Sequence, residues 1–292
     1  MDAGGAAGMR LGVDVGGSTV KWVILGETSE VIDSGAVPTP SGPDEVVELV
    51  GGLVRQGVGS IGIGLPGHVD RAAGIALFVP NPPGEWTGHP IGLALGERTG
   101  LPVAVVNDAR AFALAELRTG AARELSDVLF AVLGTGIGGA VALGGRILAG
   151  PRDNLGEVGH ITVDADGPPC CCGNRGCVET YAAGPGIVRG LDGFATAAAV
   201  AAAARAGHPA AREAMSRAGR ALGVALGDAM ALLGIGTVVV GGGVAGSLDL
   251  MLTAMREEFE RRRPLIGDVA VLPAALGSRA GAIGAALYGG EP

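Results

Sequence analysis

The residues best suited to chemistry lie close together. All four cysteines of the chain, Cys170, Cys171, Cys172 and Cys177, fall within one short stretch, and His160 precedes them. The spacing His160-x9-Cys170-x-Cys172-x4-Cys177 offers one imidazole and three thiolates, the donor set of a tetrahedral zinc. Four protein donors leave no open position, so such an ion is structural. Gly173 and Gly176 let the backbone fold tightly around it. Cys171 acts as a spacer here, although its thiol can compete for the ion. The alternative is a reduced, thiol-rich loop without metal. Glu157 and Glu179 flank the cluster. They are either solvated or, held by a zinc knot, placed to grip sugar hydroxyls. A ligating histidine keeps its second ring nitrogen for another partner, and substrate is one candidate.

Two glycine-rich hairpins supply a second kind of chemistry. In "DVGGST", Asp14 ends a strand and Gly16, Gly17, Ser18 and Thr19 form the turn, with Lys21 just beyond. Glycines let a phosphate approach backbone N–H groups, the hydroxyls and Lys21 add donors and charge, and Asp14 can hold Mg²⁺ through water. "GTGIGG", with Thr135, Gly136 and Gly138, repeats the pattern, and "GGGVAG" with Gly242 and Gly243 follows a third strand. None matches the P-loop or dinucleotide fingerprints. An ordinary turn remains the alternative for each loop alone; together they point to a nucleotide. In "VVND", Asp108 sits between a strand and a helix. It reads as a helix N-cap, as a general base oriented by Asn107, or as both.

Positioning these groups requires alternating strands and helices. "LGVDVGGSTVKWVIL" and "VLFAVLGTGIGGAVAL" each read strand, tight turn, strand, and resemble a weak internal repeat. "SGPDEVVELVGGLVRQ" is an amphipathic helix with Val46, Val50, Leu53 and Val54 on one face and Ser41 as its cap. "SIGIGLPG", "PVAVVND" and "GTVVVGGGVAG" are buried strands. "ARAFALAELR" and the Ala-rich "FATAAAVAAAARAG" are helices. "SLDLMLTAMREEFERRR" is a helix stopped by Pro264, and "RAGAIGAALYG" is a small-residue helix suited to close packing. The pattern indicates an α/β fold with mixed sheets.

Composition narrows the function classes. The 292 residues are 48% hydrophobic but only 3% aromatic, so the core must be aliphatic. The 55 glycines have no collagen period. A net charge of −8 provides no footprint for nucleic acid. The apolar stretch 221–246 carries Asp228 and many glycines, and reads as a buried helix and strand rather than a membrane span. The start "MDAGGAAGMR" lacks the pattern of a secretory leader. The expectation is a cytoplasmic protein, where clustered cysteines bind metal more often than they form disulfides.

Together "DVGGSTVK", "GLPGHVD", "VVNDARA", "LGTGIGG", "GEVGH" and "CCCGNRGC" appear in the order that resembles the ROK family of sugar kinases and sugar-responsive repressors, from Gly12 to about Gly290. The resemblance implies a two-domain actin-like ATPase fold, ribonuclease H-like, with mixed sheets and flanking helices. Its domains would be 1–109, with a helix at about 279–292 packing back, and 110–278 with the zinc loop 160–177. It implies ATP, Mg²⁺, a structural Zn²⁺ on His160, Cys170, Cys172 and Cys177, and Asp108 as base. Gly67, Asn81, Asn107, Asp108, Glu157, His160 and Glu179 would bind sugar. Asp14, Gly16, Gly17, Ser18, Thr19, Lys21, Thr135, Gly136, Gly138, Gly242 and Gly243 would bind nucleotide. A glucokinase is expected first, and a kinase for an amino sugar, fructose, mannose or a cyclitol second. With the first glycine loop at residue 14 and an acidic net charge, a repressor with a helix-turn-helix before that loop is not expected. A silent sugar sensor is disfavoured by the presence of Asp108 and both loops. Family habit implies a dimer or tetramer. Several positions depart from the family pattern: Ser18, the long "NPPGEW", the polar "PRDNLGEVGH" and Val178. His68 borders the sugar motif.

Overall fold

The computed structural model describes residues 8–151 and 153–290. They divide into two compact units. The described residues of Met1–Arg123, Ala149–Asn154 and Ser278–Pro292 form the first, and Glu124–Leu148 with Leu155–Gly277 form the second.

In the first unit, β1 (Met9–Val15) and β2 (Thr19–Leu25) make an antiparallel hairpin in register from Arg10↔Leu25 to Val15↔Val20. β3 (Val31–Pro38) adds to β2, and α1 (Pro43–Leu53) follows. β4 (Val58–Leu65) runs parallel to β1. A small ribbon of β5 (His68–Asp70) and β6 (Ile75–Phe78) leads to α2 (Ile91–Thr99). β7 (Val103–Asn107) then pairs parallel with β4 and passes directly into α3 (Asp108–Thr119). The sheet order is β3-β2-β1-β4-β7. Successive strand residues point to opposite faces. One face, with Leu11, Val13, Ile61 and Ile63, shares a core with Val46 and Val50 of α1 and Ile91 and Leu95 of α2.

The second unit repeats this plan. β8 (Val128–Leu133), β9 (Ile137–Leu143) and β10 (Arg146–Leu148) form an antiparallel meander. Two short helices, α4 (Glu179–Ala182) and α5 (Gly184–Val188), precede α6 (Ala197–Arg205) and the long α7 (Pro209–Leu233). β11 (Thr237–Gly241) pairs parallel with β8. After α8 (Leu248–Ile266), β12 (Ala270–Pro273) pairs parallel with β11. The order β10-β9-β8-β11-β12 matches the first sheet strand for strand, in sense as well as position. The hairpin repeat legible in the sequence is thus part of a five-strand repeat.

The final helix, α9 (Ala280–Gly289), belongs to the first unit and covers the other face of its sheet. Gly12 and Gly62 make this possible: a Cβ on either would lie within 2.0 Å of the carbonyl oxygens of Ala282 or Ala285. The first unit extends to Arg123, beyond the boundary expected at residue 109, because α3 also packs on α9. A Cβ at Gly284 would strike the Ala111 carbonyl.

Three local expectations need correction. Gly42, not Ser41, occupies the N-cap of α1, and the Ser41 hydroxyl instead donates to Glu45 Oε1 at 3.1 Å. Pro264 lies inside α8, which continues to Ile266. Proline's φ suits a helix and its missing N–H removes only one bond of the last turn; Gly267, at φ 71°, ends the helix. The Ala-rich helix starts only at Ala197, where Thr196 Oγ1 accepts from the Ala199 N–H at 3.1 Å. Among the described residues no helix is long and apolar enough to cross a membrane. The stretch 221–246 is the end of α7, then β11 and its loop.

Candidate active site

In the first unit the expected residues gather at the C-terminal ends of β1, β4 and β7. Asn107 is the N-cap of α3, and its Oδ1 accepts from the Arg110 N–H at 3.1 Å. The cap is therefore Asn107 rather than Asp108. The Asn107 amide nitrogen donates to the Gly67 carbonyl at 2.9 Å and to Asp108 Oδ1 at 3.1 Å. Asp108 Oδ1 also accepts from the Ala109 N–H at 2.7 Å. One carboxylate oxygen of this half-buried residue is thus fixed by the protein. Gly67 has φ 86°, and a Cβ there would lie 2.1 Å from the Phe78 carbonyl, so the loop leading to Asn81 presses on it. Asn81 in turn lies against Gly17, whose added Cβ would sit 3.1 Å from the Asn81 carbonyl. The longer "NPPGEW" loop is pinned by buried Trp86, whose Nε1 donates to the Pro83 carbonyl at 2.8 Å.

The β1–β2 turn completes this cluster. The Gly16 N–H donates to the Thr19 carbonyl at 3.1 Å, and Thr39 Oγ1 donates to the Gly16 carbonyl at 2.7 Å. Gly17 and Ser18 are exposed. Asp14 lies opposite Lys21 in the register and faces Gly281 at the start of α9. Burial pushes the Asp14 carboxyl above its ordinary range, and the Lys21 charge opposes part of that rise.

A buried ion pair lies two residues beyond Asp108 and has no sequence signature. Arg110 is 1% exposed, and its Nη1 lies 3.5 Å from Asp153 Oδ2. Asp153 belongs to the polar "PRDNLGEVGH" departure and has φ 50°. Burial raises its carboxyl pKa, against the lowering influence of Arg110, Arg71 and His68. The two residues are 43 positions apart, with no motif connecting them. The remaining histidines have structural partners: His89 Nε2 meets Asp44 at 3.0 Å, and His208 caps α7. His68 packs near the Phe78 ring.

In the second unit, the two glycines of "GEVGH" press that segment onto β9. A Cβ at Gly156 would lie 2.7 Å from Ala140 Cα, and one at Gly159 would lie 2.0 Å from the Ile137 carbonyl. Half-buried Glu157 precedes the single 3₁₀ turn Val158–His160. Glu179 opens α4, and its Oε2 accepts from the Ile137 N–H at 2.9 Å, so it also braces the "GTGIGG" loop. Thr135 is exposed at that loop, and Gly136 lies against Glu179. Gly242, at φ 90°, lies against Leu133 at the end of β8, which brings Gly242 and Gly243 to the same sheet edge. Val178 is buried in the unit's core, so this departure acts through packing rather than substrate contact.

The cysteine segment is a compact knot. Isolated bridges join Thr162 to Cys177 and Pro169 to Arg175, and Gly173 and Gly176 both take positive φ. One donor atom each from His160, Cys170, Cys172 and Cys177 falls within 4.8 Å of the other three. His160 Nδ1 lies 3.6 Å from Cys170 Sγ, and Cys172 Sγ lies 3.6 Å from Cys177 Sγ. A zinc tetrahedron built on bonds of about 2.3 Å to sulfur and 2.0 Å to nitrogen has edges of about 3.5–3.8 Å. The donors therefore fit the ion in type and number, and these two separations match its edges. Burial pushes the Cys177 thiol up to about 12, so metal uptake would release its proton. Tyr181 braces the knot by donating to Asp164 Oδ2 at 2.7 Å.

Comparison with known proteins agrees with these features. The ROK family model matches residues 10–289. A glucokinase from Streptomyces coelicolor is 32% identical over 316 residues, spanning 98% of this chain and 98% of its own. An N-acetylmannosamine kinase from Escherichia fergusonii is 32% identical over 288 residues, spanning 95% and 97%. A crystal structure of a ROK family glucokinase from Streptomyces griseus, in complex with glucose and AMPPNP, matches with a TM-score of 0.81 and 33% identity. The match covers 97% of this chain and 99% of that one. The two mixed-sheet units have the actin-like ATPase fold of such neighbours. With the family model spanning almost the whole length and full-length relatives above 30% identity, the chain belongs to the ROK family.

Proposed function

We propose that this protein is an ATP-dependent, hexokinase-type sugar kinase that phosphorylates glucose on its 6-hydroxyl. The observation that carries this reading is the fixed Gly67–Asn107–Asp108 arrangement at the start of α3, in a chain similar over its full length to a glucokinase solved with glucose and AMPPNP. The two compact units would be the two kinase domains.

Asp108 is the general base. Asn107 and the Ala109 N–H orient the carboxylate, which accepts the sugar hydroxyl proton as the hydroxyl oxygen attacks the γ-phosphorus and ADP departs. Phosphoryl transfer depends mainly on positioning and charge stabilisation. The Gly67 backbone, Asn81, Asn107, Glu157, His160 and Glu179 bind the sugar. The Gly16–Thr19 turn with Lys21, the Thr135–Gly138 loop and Gly242–Gly243 receive the nucleotide. Asp14 would hold Mg²⁺, and the ion would neutralise charge on the transferring phosphates. His160 Nδ1, Cys170, Cys172 and Cys177 would hold a structural zinc, leaving His160 Nε2 to face the sugar. The working compartment would be the cytoplasm, and the assembly a dimer or tetramer.

Identity alone does not separate glucose from an N-acetylated sugar, because the two kinase relatives are equally similar at 32%. A coupled ADP-release assay with glucose, mannose, fructose, N-acetylglucosamine, N-acetylmannosamine and a cyclitol tests the proposal. Glucose should give the highest kcat/KM, and Asp108→Asn should lower kcat by about 10²–10⁴-fold. Preference for another sugar would retain the mechanism and overturn the glucose assignment. Sugar binding without turnover would overturn the kinase reading.

A further inference from the structure

Cys171 is not needed by the zinc set, yet it is not isolated. Its Sγ lies 3.5 Å from Glu179 Oε1, and Cys170 Sγ lies 3.8 Å from the same oxygen. One donor atom each from Cys170, Cys171 and Glu179 lies within 4.8 Å of the other two. A sulfur–oxygen edge around a tetrahedral zinc is about 3.5 Å long, so the Cys171–Glu179 pair has coordination spacing. Cys171 is exposed and Glu179 is half-buried, so an ion from solvent can reach them. Glu179 Oε2 is engaged by the Ile137 N–H, which turns Oε1 toward the two sulfurs.

We propose that Cys170, Cys171 and Glu179 form a second site for a thiophilic divalent ion, with the Cys170 thiolate bridging to the ion held by His160, Cys170, Cys172 and Cys177. The second site has three protein donors and one open position. Charge favours it: three thiolates around the first ion leave a net negative centre, and Glu179 adds another negative group. As the second metal–sulfur bond forms, the Cys171 proton passes to solvent. The occupied site draws Glu179 Oε1 onto the metal and away from a sugar hydroxyl. Excess zinc or cadmium therefore inhibits in competition with sugar. This last consequence rests on the sugar-kinase reading; the ion count does not.

The test uses the full-length protein loaded with its first zinc. Cadmium binding is followed by the thiolate-to-cadmium ultraviolet band and by equilibrium dialysis, in the wild type, in Cys171→Ser and in Glu179→Gln. The wild type should take up one more ion than the first set accounts for, and each variant should bind that ion at least about tenfold more weakly. Second-ion isotherms that are the same in all three proteins would overturn the site. With the preferred sugar, excess zinc should raise the wild-type KM for sugar and leave kcat unchanged, and Cys171→Ser should lose most of that effect. A second ion that binds without raising the sugar KM would overturn the link to Glu179. A protein that phosphorylates no sugar would remove the kinase reading and leave the isotherms to decide the metal site.

Discussion

Burial lifts the Asp14 carboxyl above its ordinary value of 3.8, with only partial relief from Lys21. A raised folded-state pKa stabilises the fold where the group is protonated. That contribution is complete below the unfolded value and is lost as pH rises through the raised one. Towards neutral pH that contribution is lost, and the proposed Mg²⁺ role would account for keeping a carboxylate there. Asp14→Asn should raise Tm at pH 7, gain nothing near pH 3, and lower kcat by at least about 10²-fold. A lower Tm at pH 7 would show that the ionised carboxylate is held by net favourable contacts. The Arg110–Asp153 pair makes the complementary case. Arg110→Met leaves the Asp153 carboxylate with only the weaker influence of Arg71 and His68 and should cost up to about 3–5 kcal/mol by denaturant unfolding. The double variant with Asp153→Asn should recover most of this, since asparagine tolerates the left-handed backbone there. Asp108 was legible because its neighbours form a motif. Arg110 was not, because nothing in "NDARA" points to a partner so far along the chain.

At the scale of elements, glycine has opposite effects in different helices. Along α7, Gly219, Gly223 and Gly227 recur every fourth residue and face α8. A Cβ at Gly219 would lie 2.3 Å from the Met251 carbonyl, and one at Gly223 would lie 2.7 Å from Glu258 Cβ. Gly52, near the end of α1, has no atom within 4 Å of its added Cβ. Gly219→Ala should therefore destabilise by about 1–3 kcal/mol, despite alanine's better helix propensity. Gly52→Ala should stabilise by up to about 1 kcal/mol. Denaturant midpoints would separate the two, and a stabilised Gly219→Ala would mean that α8 can move aside. The close packing of α9 was readable from "RAGAIGAALYG", where small residues dominate a short helix. The α7 stripe was not, because 3 glycines within a 25-residue apolar helix resemble tolerated interruptions until a backbone is found against them. The stop assigned to Pro264 failed for a related reason: a proline near the end of a helix removes only one bond there, and Gly267 has the backbone freedom to end it.

At the scale of the whole molecule, two sheets of identical order carry different attachments. The sequence reveals this repeat only at its hairpins, where glycine turns mark it. Elsewhere the matching strands are short apolar runs joined by dissimilar helices. The cysteine knot is inserted in the second unit alone, between β10 and α4, and its donors adjoin the proposed sugar groups. His160 is itself a donor, and Cys177 lies two residues before Glu179. The proposed nucleotide groups should depend on it less: Gly16–Thr19 belongs to the other unit's hairpin, and Gly242–Gly243 follows β11 against the end of β8. Among the described residues, Glu179 links the knot to the Thr135–Gly138 loop by accepting from the Ile137 N–H. Removing zinc with a chelator should then weaken sugar binding at least about tenfold and change AMPPNP binding by much less. Calorimetric titrations of each ligand, with circular dichroism to confirm that the chelated protein is still folded, would measure both. Equal losses for the two ligands would mean that the knot supports the second unit as a whole. An unchanged sugar affinity in a folded, zinc-free protein would mean that the bridges at Thr162–Cys177 and Pro169–Arg175, with the Tyr181–Asp164 brace, hold His160 and Glu179 without the ion.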